Sequence, residues 1–432
     1  MALHPTRRAL LGGLGAMGGL GLGGLWTARA HAAGADQDLV VVLANGGWDV
    51  SYVLDPKPGS PFVDGPELDE EASEPEDVEA TSTFGELVVG TNAHKRPVTG
   101  DFFARWAHRA VLVRGLWVGS ISHDACRARV LTGTPSDGRP DVAAMVGAAR
   151  AGSVPLPYMD LAGAGYTGEL AALTGQSGAR NQLRFLLDRS QALFGPDGTP
   201  YPRYVAHAQD RPAIDAWLAD RAARQEVRRA AGAGATWRLD DAAIARTRAS
   251  QLREAGPTLA QSLASAGSSL AARLGLAADL LQGGLSRTVL VDSGASWDTH
   301  DDNAEQHALH EDLFAGLDAL MARLQQEGRL DRTTVVVLSE MTRTPRRNEA
   351  GGKDHWPVTS ALLLGGGLAG GRVLGGTDAR LDAVPVDLRT GLPSPSGTVL
   401  RYDHLAAGLL SLLDADPGRW FGGLTPLGGL TA

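Results

Sequence analysis

Apolar residues in this chain gather into short unbroken runs, each closed by a polar or glycine-rich turn. Residues 39–44 read Leu-Val-Val-Val-Leu-Ala and end in Asn45-Gly46-Gly47-Trp48-Asp49. Residues 110–113 precede Arg114-Gly115, and residues 288–291 precede Asp292-Ser293-Gly294. Residues 333–338 precede Ser339-Glu340, and residues 361–364 precede Gly365-Gly366-Gly367. Continuous rather than alternating hydrophobicity predicts strands buried on both faces, as in a parallel sheet. Between the runs lie helical stretches. Residues 303–327 carry Leu309, Leu313, Leu317, Leu320 and Leu324 at three-to-four spacing, which makes one helix face apolar. Strands alternating with helices predict an α/β architecture with helices on both faces of the sheet.

Three regions break this rhythm. Residues 64–79 are acidic and nearly free of large apolar side chains, which predicts a solvated, flexible loop. Residues 212–282 are rich in Ala, Arg and Leu and predict a helical insertion. Residues 384–398 are rich in Pro, Gly and Ser and predict a long loop. The N-terminus is an address. Arg7-Arg8, a Gly/Leu/Ala-rich run and Ala30-His31-Ala32-Ala33 predict a twin-arginine signal peptide over residues 1–32. The run is too short and glycine-rich for a spanning helix, which needs about 20 mostly apolar residues. Residues 33–432 are then expected to form a single large domain.

Charge and cysteine content narrow the functional classes. The net charge of −9 becomes −12 once Arg7, Arg8 and Arg29 leave with the signal, which carries no acid. An acidic total argues against nucleic-acid binding. The lone cysteine, Cys126, excludes an intrachain disulfide and a cysteine-based zinc knuckle.

Parallel α/β sheets bind ligands beyond the carboxyl ends of their strands. The polar residues that follow the apolar runs are therefore the candidates: Asp49, Asp298 with His300, Glu340, and Asp354 with His355. Such a set of carboxylates and imidazoles suits a hard or borderline divalent metal. His307 and His310 share a helix face and are expected to be solvent-exposed. His404 reads as a cap at the start of a C-terminal helix. Gly365-Gly366-Gly367 lacks a phosphate-loop ending and reads as a turn, and no G-x-S-x-G elbow is present.

Asp331 through Thr377, with Gly-Gly-Lys-Asp-His-Trp-Pro at 351–357, resembles the exported proteins of "domain of unknown function 1501". So do Trp297-Asp298-Thr299-His300, Gly46-Gly47-Trp48-Asp49 and the twin-arginine signal. Family members usually have an aromatic residue and Gly where this chain has Met341-Thr342. The resemblance places the chain with the alkaline phosphatase and sulfatase superfamily. It implies a mixed, mostly parallel sheet between helices, and a metal site for phosphate or sulfate esters. It also implies metal ligands: Asp49 after the first strand, Glu340 at a strand end, Asp298 with His300 or Asp302, and His355 with Asp354 beside it.

The stretch from His123 to Gly133 is similar to the sulfatase signature Cys-x-Pro-Ser-Arg-Ala-x-x-x-Thr-Gly. Arg127, Ala128, Thr132 and Gly133 match, but His123 stands at the catalytic cysteine position and Cys126 at the serine. Three roles for His123 stay open: nucleophile or base, extra metal ligand, or part of a site that only binds. Arg127 suits a tetrahedral oxyanion in each. Arg343, Arg346 and Arg347 read as a solvated basic loop.

The expectation is an exported, metal-dependent hydrolase of phosphate or sulfate esters with an atypical nucleophile position. It would use zinc, calcium, manganese or magnesium and act in the periplasm or outside the cell. Its partners would be the twin-arginine export machinery and a small anionic ester or saccharide ligand, with no stable membrane span after cleavage. The alternative is a non-catalytic envelope protein of the same fold that binds an anionic or sugar ligand or a partner protein.

Overall fold

A computed structural model describes residues 37–431, apart from 136–137, 177–192, 195–199, 202–209, 233–246, 249, 253 and 255–268. The signal segment and much of the 212–282 region lie outside the described residues. All described residues fall within one compact unit, Ala32–Ala432.

The apolar runs form a central eight-stranded sheet. Its strands, in chain order, are β1 (Asp38–Leu43), β2 (Ala110–Trp117), β3 (Tyr158–Asp160), β4 (Thr174–Gln176), β5 (Thr288–Asp292), β6 (Thr333–Leu338), β7 (Val358–Gly365) and β8 (Arg372–Gly375). The spatial order is β8-β2-β7-β6-β1-β5-β3-β4. Strand β1 pairs in parallel with both β5 and β6, Val41 lying opposite Leu290 and Val336. Only β7 runs against its neighbours, β6 and β2, so the sheet is mostly parallel.

Helices cover both faces, which is why the strands read as unbroken apolar runs. Val40, Val42, Val289, Val291, Val335 and Val337 point to one face. There they meet α1 (Pro97–Trp106) and the helices at Leu270–Gln282 and Glu305–Gln326. Leu39, Val41, Leu43, Leu290, Val336 and Leu338 point to the other face, against α2 (His123–Thr132) and α3 (Val142–Ala149). The exposed helix α4 (Arg211–Ala230) belongs to the predicted insertion, as does α5 (Leu270–Gln282). Helix α6 (Glu305–Gln326) carries the leucine stripe, and α7 (Tyr402–Leu412) completes the second face beside α2 and α3. Each fully buried valine or leucine in these layers contributes about 1.5–3 kcal/mol. Among the described residues, no helix is long and apolar enough to cross a membrane.

Some polar segments depart from their predicted solvation. Within the acidic stretch, Asp77 is buried and the Asp69 carboxylate nearly so; Asp69 is ion-paired with Arg347 at 2.5 Å and Asp77 with Lys95 at 2.9 Å. His307 and His310 are buried, not exposed, because α6 turns that face onto the 3₁₀ turn Val50–Tyr52. Arg343 is fully buried and therefore not part of a solvated loop, whereas Arg346 is exposed and paired with Asp64 at 2.6 Å.

Candidate functional site

The topology draws the polar strand ends to one edge. β1, β2, β5 and β6 all finish there. Antiparallel β7 begins there, with Val358 opposite Trp117 and Ala361 opposite Leu338, so the residues just before β7 arrive at the same edge. Each chain segment delivers one or two side chains: His123 after β2, Asp298 and His300 after β5, Glu340 after β6, and Asp354 and His355 ahead of β7.

Close backbone approach makes this possible. Gly46 has φ +122°, and a Cβ there would lie 2.6 Å from the Trp297 nitrogen and 2.7 Å from that of Asp298. Only glycine both adopts that conformation and lets the two loops touch. The Gly46 N–H donates to Glu340 Oε1 at 2.7 Å, joining the β1 turn to the end of β6.

Three ligand-type atoms converge. His300 Nε2 lies 3.0 Å from Asp298 Oδ1 and 2.9 Å from His355 Nε2, and His355 Nε2 lies 3.1 Å from the same carboxylate oxygen. His123 Nε2 lies 3.4 Å from Asp298 Oδ2 and is buried without a hydrogen-bond partner. The opposite nitrogen of every ring is occupied by an acceptor. His123 Nδ1–H donates to Glu340 Oε1 at 2.8 Å, His300 Nδ1–H to Asp354 Oδ1 at 3.1 Å, and His355 Nδ1–H to the Ile121 carbonyl at 2.8 Å. These partners fix the tautomers and turn all three Nε2 lone pairs inward, the arrangement that orients metal-binding histidines. Lone pairs and a carboxylate facing one another at about 3 Å call for a cation among them.

The donor set fits a small borderline divalent ion. Two imidazole nitrogens and one carboxylate oxygen are a zinc-type set, and bonds of about 2.0–2.1 Å in a tetrahedron place ligands about 3.3 Å apart. The observed separations need to open by only a few tenths of an ångström. His123, Asp298 and His355 likewise group tightly enough to hold one ion.

Electrostatics set the charge of these groups apart. The bond to Glu340 raises the His123 pKa above its ordinary value. Burial pushes the Asp298 carboxyl up, but its bonds to His355 and Arg343 outweigh this and hold it below the usual range. The bond from Asn348, then that from His300, lowers Asp354.

The remaining predicted residues take other places. Asp49 is fully buried, and its carboxylate accepts from Lys353, Asn303 and Ser51 rather than joining the converging atoms. Glu340 faces His123 as its orienting partner. Arg127 lies one turn beyond His123 on α2 and is paired with Asp124 at 2.7 Å. Cys126 is buried, its thiol donating to the Ser120 carbonyl. Sequence reasoning missed Lys353, Asn303 and the true place of Arg343. The Arg343 guanidinium donates to Asp298 at 2.8 Å and to the carbonyls of Gly46, Gly47 and Lys353. A lysine set between Gly352 and Asp354 was the one available signal.

Among solved structures, the chain is similar to a Vibrio parahaemolyticus protein in the alkaline phosphatase superfamily. The two share 11% identity and a TM-score of 0.35, over 87% of this chain and 66% of that one. It is similar to phosphonate monoester hydrolase from Silicibacter pomeroyi at 12% identity and TM-score 0.36, over 90% and 75% of the two chains. The protein Ps i-CgsB matches at 10% identity and TM-score 0.39, over 90% and 74%. No curated protein matches the chain. Residues 36–390, most of the sequence, match the family described as "Protein of unknown function (DUF1501)", and the chain belongs to that family.

Proposed function

We propose that this protein is an exported, metal-dependent hydrolase of phosphate or sulfate esters, of the alkaline phosphatase and sulfatase type. One observation carries the reading: three histidines, each with Nδ1 tied to an acceptor, aim Nε2 at a shared carboxylate. Asp298, His300 and His355 would hold the ion. When bound, it would supply a Lewis acid that polarises an ester oxygen. His123 stands beside it with a free Nε2, and Glu340 accepts its Nδ1–H and steadies the ring. In the neutral ring that nitrogen could attack phosphorus or sulfur as the bond to the ester's alkoxide breaks, or accept the proton of a water that attacks and displaces the same alkoxide. His300 is half exposed and Asp354 exposed, which leaves the site open to a substrate from solvent. Export through the twin-arginine route is supported by Arg7-Arg8 and the segment that follows them.

The test combines metal analysis with a substrate panel. Protein exported on its own signal is assayed for bound zinc, manganese, calcium and magnesium. It is then given aryl phosphates, phosphodiesters and aryl sulfates with each metal added. Bound metal and turnover, both lost on chelation, are expected, and His123→Ala should abolish turnover while metal stays bound. Absence of metal together with no gain of activity on adding any would overturn the reading. Metal binding without turnover on any substrate would assign the site to ligand binding instead.

A further inference from the structure

We infer that the ammonium group of Lys353 fills the position at Asp49 that a second divalent cation could take, so that the centre holds one divalent ion and not two. This rests on the metal-dependent reading above. Two carboxylates, Asp49 and Asp298, follow the neighbouring strands β1 and β5, and the segment Lys353-Asp354-His355 sends a side chain to each of them. Paired carboxylates of this kind can hold two ions about 3.5–4 Å apart. The two carboxylates here differ in what remains open on them.

The coordination sphere of Asp49 is already complete. Oδ1 accepts from the Ser51 nitrogen at 2.9 Å and the Ser51 hydroxyl at 2.6 Å. Oδ2 accepts from Lys353 Nζ at 2.7 Å and Asn303 Nδ2 at 2.9 Å. A carboxylate offers about four lone-pair sites, and four donors take them. No side-chain atom of Asp49, Lys353 or Asn303 is buried without a partner, whereas His123 Nε2 is. Burial pushes the Asp49 carboxyl up, but Lys353, with the bonds from Ser51 and Asn303, outweighs this and holds it below the usual carboxylate range.

Lys353 cannot readily give up that place. Both it and Asp49 are 0% exposed. Its backbone is held on both sides, the N–H donating to the Thr299 carbonyl at 3.1 Å and the carbonyl accepting from Arg343 at 3.2 Å. An ion at Asp49 would either strand a desolvated ammonium without its counter-charge or sit against it as a like charge. Both are strongly unfavourable in a buried setting. A lysine thus supplies, permanently and by covalent attachment, the positive charge that Asp49 requires.

Zinc stoichiometry tests this directly. Full-length protein is stripped with chelator and dialysed to equilibrium against zinc chloride, and bound zinc is counted by mass spectrometry. One zinc per chain is expected. His355→Gln should weaken it by roughly 100-fold, and the double variant D49N/K353M should keep one zinc with a Kd within about threefold of the parent. Replacing both partners together avoids a stranded charge, and the count on the unmodified protein stands even if that variant does not fold. Two zinc ions per chain would overturn the inference and leave the metal-dependent reading intact. So would a folded D49N/K353M that loses its single zinc. No zinc at any concentration would overturn the metal-dependent reading, and this inference with it.

Discussion

Buried and half-buried histidines in this protein differ in which ring nitrogen is satisfied. In His123, His300 and His355 an acceptor takes Nδ1–H and leaves Nε2 facing the centre. In His310 the pattern reverses: Nε2–H donates to the Asp49 carbonyl at 3.1 Å, and Nδ1 is buried without a partner. His310 is enclosed by Trp48, Tyr52, Trp297 and Phe314, and burial, reinforced by Arg96, lowers its pKa to about 3. The folded state therefore refuses a proton that the unfolded chain accepts near pH 6.5. The stability this neutral ring contributes is present above pH 6.5 and is lost as pH falls towards 3, to a total on the order of 5 kcal/mol. His310→Gln, which cannot titrate, should show a shallower fall of Tm between pH 6.5 and 3 than the parent protein. Parallel Tm–pH curves would show that His310 has no part in acid sensitivity.

Elements place these residues through their ends rather than their lengths. Turns beyond β1, β5 and β6 and the segment ahead of β7 meet by backbone contact, and glycine sits where they touch. A Cβ on Gly352 would lie 2.0 Å from the His300 carbonyl oxygen and 2.5 Å from the Asp301 nitrogen. Backbone cannot yield as a side-chain tip does, so Gly352→Ala must push the His300 loop away from Asp354 and His355. Zinc affinity should fall by about 10- to 100-fold while far-UV circular dichroism remains unchanged. An unchanged Kd would show that the His300 loop is not positioned by this contact. The element scale also separates what was readable from what was not. The leucine stripe of α6 was plain in the sequence, yet the burial of His307 and His310 on the same helix was not. Polar residues on a buried face look like surface residues until their partners, here Asp69, Arg96 and the Asp49 carbonyl, are in place.

For the whole molecule, the site is the junction of segments that lie far apart in the sequence. An ion held jointly by the loops after β5 and before β7, as proposed above, would link them in the folded state only. Zinc at about 100 times its Kd should then stabilise the protein by about 2.7 kcal/mol, seen as a rise in Tm that chelator reverses and His355→Gln removes. A Tm indifferent to zinc and chelator would contradict a site assembled by folding. The other end of the sheet is tied without a metal. Asp38, at the start of β1, is fully buried against Arg329 at 2.8 Å and Arg287 at 3.2 Å. The two ends of the strands therefore differ, with fixed ion pairs at one and a cluster of imidazoles around the Asp298 carboxylate at the other.

The sequence by itself determined the α/β layering, the central strands and the edge at which chemistry gathers. Those follow from local patterns: a strand covered on both faces must be apolar throughout, and the residues just past it must be polar. It also brought Asp298, His300, Glu340, Asp354 and His355 into view as strand-end residues, and His123 through its resemblance to a nucleophile motif. Only the tertiary structure decided which carboxylate stays open and which is closed. Lys353 and Asp49 are 304 positions apart, and Arg343 and Asp298 are 45 apart. Nothing in the local pattern around any of the four states which cation meets which acid. That choice depends on where folding places each charge, because a buried carboxylate takes whichever cation lies within reach.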